Sequence, residues 1–287
     1  MATSYENGGA AWSPDGNTLA YGASRIDQRF FVIRSVASGQ ERPLAPTGLL
    51  TPTGLPRWAV NQPVWFPDGK SLLLWFRDAV YQTDLQTGES RQLLKSLKMR
   101  TGPHGRFRLA PDGRMVYYTY MDQTGHTSLI RQSLDGGTGV EVCRVAGNMS
   151  GPSLSPDGTS LAFSTQFDYG TEKEYWTVMT VAAVGGEPRE VLRVKTPALE
   201  PVWSKDGRWL FFATNNDPQV PWGSGRRKDI WRVSVRGGEP KPLNIGLHFE
   251  QYLDSSPDGK HLVFSDLTHI NELRVMRNLF PPAKPSR

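Results

Sequence analysis

Polar side chains recur at one point of a long repeat in this chain, and their types suit two kinds of chemistry. Glu6 and Asn7, Asn61 and Gln62, His104 and Arg106, Asn148 and Ser150, Glu200, and Glu250 and Gln251 each stand ahead of a copy of one turn. Five of them, Glu6, Asn61, Asn148, Glu200 and Glu250, offer the carboxylate and amide oxygens that a hard cation such as calcium takes, with water completing the shell. A metal so held is a Lewis acid that would polarise a phosphoryl or lactone carbonyl oxygen while bound water or a nearby carboxylate attacks. His104, Glu200 and Glu250 are then the candidate catalytic residues. His104 with His248 and a glutamate would make a nitrogen-richer site suited to zinc or manganese. The plainer reading is structural: polar residues around a channel satisfy backbone groups and hold water. The five histidines, at 104, 126, 248, 261 and 269, show none of the short spacings of metal motifs.

The element that positions these residues is a turn repeated from end to end. Its copies are Ser13-Pro14-Asp15-Gly16, Phe66-Pro67-Asp68-Gly69, Ala110-Pro111-Asp112-Gly113, Ser155-Pro156-Asp157-Gly158, Ser204-Lys205-Asp206-Gly207 and Ser256-Pro257-Asp258-Gly259. Pro presets φ, Asp bonds its own backbone, and Gly takes the positive φ that closes a hairpin. The aspartates therefore read as turn formers rather than as an acidic ring. From one Asp to the next is 44 to 53 residues, the period of a four-stranded propeller blade. Each turn is followed by a short apolar run such as Leu72 to Phe76 or Leu161 to Phe163, a buried strand. Large residues, Trp12, Trp65, Leu109, Leu154 and Trp203, stand two places before the Pro position and would wedge between blades; Asp254-Ser255 breaks that pattern in the last copy.

Repeats of the form apolar-x-Ser-Pro-Asp-Gly-x-x-Leu-x-Phe resemble those of the TolB-type β-propeller family. The resemblance implies an all-β, six-bladed propeller of four-stranded antiparallel blades. It would use residues 1–287 as one domain, its last blade completed by residues Ala2 to Tyr5 acting as an N-terminal strand. Without that clasp an open edge predicts dimerisation; with it, a monomer. Such propellers serve as protein-binding modules, as sensor domains, and as gating domains of serine peptidases. Asn and Glu rings that hold calcium in the six-bladed gluconolactonase, paraoxonase and organophosphatase families are similar in position within the blade.

Composition narrows the function classes. A net charge of +5 is dispersed, and its one tight cluster, Arg226-Arg227-Lys228, lies in a Gly-Pro-rich loop without a nucleic-acid-binding motif, so the partner expected is not nucleic acid. The start, Met-Ala-Thr-Ser-Tyr-Glu, has no basic and apolar leader, and no later stretch reaches the length of a membrane span. The chain as written reads as soluble and cytoplasmic, with a periplasmic or extracellular parent protein as the alternative. Cys143, alone, reads as a small buried residue. There is no Gly-x-Ser-x-Gly elbow, since Trp222-Gly223-Ser224-Gly225 lacks the first glycine.

The leading expectation is a non-catalytic recognition or sensor propeller that binds a peptide, protein or small ligand at the channel mouth. Trp58, Arg106, Tyr169, Trp222, Arg226 and Phe249 are its candidate contacts, since aromatics and Arg anchor interfaces. The loop from Asn215 to Lys228 is the most prominent binding element. The alternative is a metal-dependent hydrolase of esters, lactones or phosphotriesters.

Overall fold

The structure is a computed structural model that describes residues 6–25, 28–49, 62–76, 78–95, 107–215, 228–244, 249–267 and 271–277. It is an all-β propeller of four-stranded antiparallel blades. In the first blade the strands are Glu6–Trp12, Thr18–Arg25, Gln28–Ser35 and Glu41–Leu44, laid side by side in chain order. Among the described residues five repeats reach this plan. The sixth shows three strands, Phe249–Ser255, His261–Leu267 and Asn271–Arg277, so the expectation of six complete blades is met in five. The clasp expected from Ala2 to Tyr5 lies outside the described residues. Among the described residues no helix is long and apolar enough to cross a membrane.

The second strand of each blade is covered on both faces, which is why its sequence is nearly continuous in apolar residues. Ser71–Phe76 is buried along its whole length. Alternate side chains of that strand go to different layers: Leu72, Leu74 and Phe76 join Ala20, Phe31 and Ile33 of blade one, while Leu73 and Trp75 join Phe107 and Val116 of blade three. The core is thus a series of apolar layers between blades. Its last layer places Val263 of the sixth repeat against Ala10, Trp12, Leu19 and Tyr21 of the first, so the two ends of the chain pack together.

The turns behave as their residues dictate. Ser13 Oγ donates to Asp15 Oδ1 at 2.5 Å, that same oxygen accepts from Asn17 N at 3.0 Å, and Ser13 Oγ accepts from Thr18 N at 2.9 Å. Ser155 with Asp157, Ser204 with Asp206 and Ser256 with Asp258 repeat the arrangement. The serine hydroxyl, then the backbone N–H, holds Asp15, Asp157 and Asp258 below the usual carboxylate range. In the second and third copies Phe66 and Ala110 replace the serine, and among the described residues Asp68 and Asp112 accept a backbone bond alone, from Lys70 N and Arg114 N.

Because neighbouring strands are antiparallel, these turns and the third-to-fourth hairpins share one face, the turn face. The second-to-third hairpins and the connections between blades share the other, the mouth face, where the inner strands begin.

Candidate functional site at the mouth face

Inner strands reach the mouth face irregularly, and the irregularities set where polar groups point. The first inner strand shifts register between Asn7 and Ala10, and the fifth between Leu199 and Val202. In blade four the strand is split into Asn148–Met149 and Ser153–Leu154. The gap is sealed by Ser150, whose Oγ accepts from Ser164 N at 3.0 Å and lies 2.9 Å from Ser164 Oγ.

Glu200 sits on the blade-five bulge with φ of +57° and is 6% exposed. Its carboxylate accepts from Leu253 N at 3.2 Å and so ties blade five to the last repeat. Asn148 pairs with Gln166 in the first short strand of blade four. Glu6 opens the first inner strand, and Phe249 and Glu250 open the last. Asn61, Trp58, His104, Arg106, Trp222, Arg226 and His248 lie outside the described residues, as does most of the loop from Asn215 to Lys228. Neither a shared metal centre nor a shared binding surface can be built from Glu200 and Asn148 alone. Among the described residues no group of three or more His, Cys, Asp or Glu could hold a metal ion. Of the ring expected, Asn61 lies outside the described residues, Glu200 accepts from a backbone amide, and Asn148 stands in the first short strand of blade four.

The polar wall between the first three blades is stitched. Gln62, 5% exposed, donates from Nε2 to Ala10 O at 2.6 Å, and its Oε1 accepts from Arg108 Nη2 at 3.2 Å. One side chain thus spans from blade one to blade three, and its polar atoms satisfy the protein itself, as the structural reading of the channel expects.

A different feature stands out at the rim of blade four. The hairpin between Ser160–Phe167 and Tyr175–Ala182 presents Tyr169 at its tip, 79% exposed. The loop behind it is held by its own hydrogen bonds. Asp168 takes a positive φ of +51°, Thr171 Oγ1 donates to Asp168 O at 2.8 Å, and Glu174 accepts from Gly170 N at 3.1 Å and from Gln166 Nε2 at 2.6 Å. At its base Phe167 stacks on Tyr175 with ring centroids 5.0 Å apart, and Arg193 lies over the Tyr175 ring at 4.4 Å. Glu190 anchors that guanidinium through an N–O contact of 2.7 Å. Offset aromatic pairs and cations over rings are favourable arrangements. Tyr169 and Phe167 are legible as loop aromatics; Tyr175 and Arg193 are not, since only the three-strand register brings them together.

At the neighbouring rim of blade three, Asp122 gathers Thr124 N, Thr124 Oγ1 and His126 N and pairs with Arg144. The Thr124 hydroxyl is the foremost cause that brings its pKa down to about 2.

Comparison with known proteins shows a fold similar to that of TolB structures. No family model matches the chain. It is 24% identical over 208 residues to an uncharacterized protein of Agrobacterium fabrum, covering 70% of this chain and 64% of that one. It is 28% identical over 205 residues to an uncharacterized peptidase of Bacillus subtilis, covering 71% of this chain and 21% of the peptidase. The chain therefore spans less than two thirds of either relative. Among solved structures it is similar to TolB from Acinetobacter baumannii, with a TM-score of 0.64, 15% identity, and coverage of 94% of this chain and 60% of that one. A putative TolB from Agrobacterium tumefaciens gives 0.60, with 20% identity and coverage of 75% and 76%. An oligogalacturonate lyase in complex with manganese gives 0.63, with 15% identity and coverage of 96% and 75%. At these identities the likeness is one of fold.

Proposed function

We propose that this TolB-type β-propeller is a recognition module that binds a peptide or protein segment at the mouth face, with the rim of blade four as its anchor. The observation that carries this reading is Tyr169, a large side chain 79% exposed on a loop fixed by its own hydrogen bonds, beside the Phe167–Tyr175–Arg193 stack. A tyrosine has only two side-chain torsions to fix on binding, and aromatics with Arg dominate interface energies. The test is selection of peptides from a random display library on immobilised protein, followed by titration. Selected peptides should lose at least tenfold in affinity with Tyr169→Ala and with Arg193→Ala, and keep it with Val184→Ala on the turn face. Peptides that bind all variants equally, or no enrichment, would sink the reading.

The proposed ring has six blades in one domain, the last completed by residues 2–5. Deleting those residues should then produce dimers in sedimentation through the exposed edge. A truncated monomer of unchanged stability rules the clasp out.

A second reading, hydrolysis of esters, lactones or phosphotriesters with a divalent metal, draws on the likeness to the manganese-bound lyase and on the peptidase relative. It requires ligands beyond the described residues. Stoichiometric metal by elemental analysis, with EDTA-sensitive turnover lost in Asn61→Ala or Glu250→Ala, would displace the recognition reading.

A further inference from the structure

A cavity of about 540 Å³ opens on the turn face between blades one and two, opposite the mouth. Its lining includes Ile33, Trp65 and Leu85, each less than 10% exposed, and the carboxylates of Asp15, Glu41 and Asp68. Its floor is apolar; its rim carries these three carboxylates and Arg42, and Glu41 Oε1 already accepts from Arg34 and from the Tyr21 hydroxyl. One reason for the space is Ser13, small where the next blade carries Phe66, which is buried in the layer between blades two and three.

The corresponding seam between blades four and five shows what fits there. Arg189 of blade four reaches across it, donating from Nη2 to Val235 O at 2.5 Å and to Thr180 Oγ1 at 3.3 Å. Register makes the two seams comparable. Arg189 pairs with Thr180 as Arg42 pairs with Ile33, and Val235 N bonds Arg208 O as Leu85 N bonds Lys70 O. In the first seam Ile33 has no hydroxyl to orient an arginine from its own blade. Arg42 lines the cavity but is exposed, and forms no side-chain bond among the described residues. The Leu85 carbonyl, at the position of Val235, receives no hydrogen bond among the described residues. A second cavity shares Asp68 and continues along blade two past Asp84 and Glu89, with Lys70 and Arg91 also in its lining.

We propose that this seam receives an arginine side chain from an extended segment of a partner protein. Its methylene stem would lie over Trp65, Ile33 and Leu85, and its guanidinium would donate to Leu85 O and the rim carboxylates, in the manner of Arg189. The long methylene stem of such a side chain matches the apolar floor, and its planar fork of donors suits the Leu85 carbonyl and the Asp68 carboxylate together.

The experiment titrates ¹⁵N-labelled full-length protein with the capped peptide Ac-Gly-Arg-Gly-Arg-Gly-NH2 and with its citrulline counterpart, which keeps the shape and loses the charge. Expected are saturable shifts of the Leu85 and Asp68 amides and the Trp65 indole N–H, and at least tenfold weaker binding of the citrulline peptide. Asp68→Asn should weaken the arginine peptide at least threefold while keeping the turn, because Asn accepts the same backbone bond. Glu41→Gln gives an independent readout that leaves the turn untouched. Asp112→Asn, the same turn residue one blade on, should change nothing. Absence of saturable shifts, equal binding of citrulline, or indifference to both Asp68→Asn and Glu41→Gln would overturn the proposal.

Discussion

The indole N–H of Trp65 donates to the carbonyl of Ala11 at 3.0 Å, across the boundary between the second blade and the first. Trp203 repeats the bond to Ser153 O at 3.0 Å, and Ser255, which takes the tryptophan's place in the last repeat, donates to Trp203 O at 3.1 Å. The wedge is therefore also a pin, and a hydroxyl serves where the indole is missing. Trp12 completes the set differently: its backbone N–H donates to Asp254 Oδ2 at 3.1 Å, while its indole N–H has no partner among the described residues. Trp65→Phe keeps the apolar bulk but removes the bond to Ala11 O, and should cost about 0.5–1.5 kcal/mol in urea unfolding. Trp12→Phe should cost clearly less, since it breaks no bond made by the indole.

Gly147 joins the third blade to the fourth with φ of +149°, and a methyl group there would stand 2.4 Å from Gln166 O. Gly147→Ala should therefore destabilise by at least about 2 kcal/mol, combining backbone strain with a clash against a main-chain atom. Gly125, also at positive φ but with open space around it, should tolerate alanine better. Paired thermal denaturation curves decide the matter.

The loop carrying Tyr169 is fixed by Glu174, which accepts from Gln166 Nε2 and Gly170 N. Glu174→Ala should speed hydrogen exchange at Gly170 and weaken peptide binding at the rim, with little change in the unfolding midpoint, because the loop adds no apolar layer to the core. A midpoint lowered in proportion to the lost binding would show instead that the loop is part of the fold's stability.

Asp122 should make stability depend on pH at the acid end. Its folded pKa, about 2, lies below the ~3.9 of an unfolded aspartate. The stabilisation it provides is complete above about pH 4 and is lost as pH falls through the folded value. The gap in stability between wild type and Asp122→Ala should narrow as pH is lowered from about 4 towards 2. A gap constant over that range would mean that the carboxylate's charge contributes nothing.

Cys143 is buried, and burial is the foremost cause that pushes its thiol up to about 12. The thiolate is the reactive form, so a disulfide reagent at pH 8 should label the native protein far more slowly than the protein in denaturant. Rapid native labelling would indicate that the strand Val140–Ala146 opens readily.

What residue order alone determined was everything local or periodic. Pro, Asp and Gly dictate the turns wherever they fall, the spacing of those turns sets the blade, and doubly buried strands such as Ser71–Phe76 announce themselves as unbroken apolar runs. These are interactions between residues a few positions apart, so a sequence displays them directly. The candidate sites were legible only in part. Glu200 is polar and stands ahead of a turn, yet its use depends on Leu253, a residue of the next repeat, reaching its carboxylate. The Phe167–Tyr175–Arg193 stack needs two strand pairings in register, and the arginine seam needs blade one set beside blade two. Each of these joins residues that only packing brings together, and the tertiary structure alone decided whether a polar group faces a ligand or satisfies the neighbouring backbone.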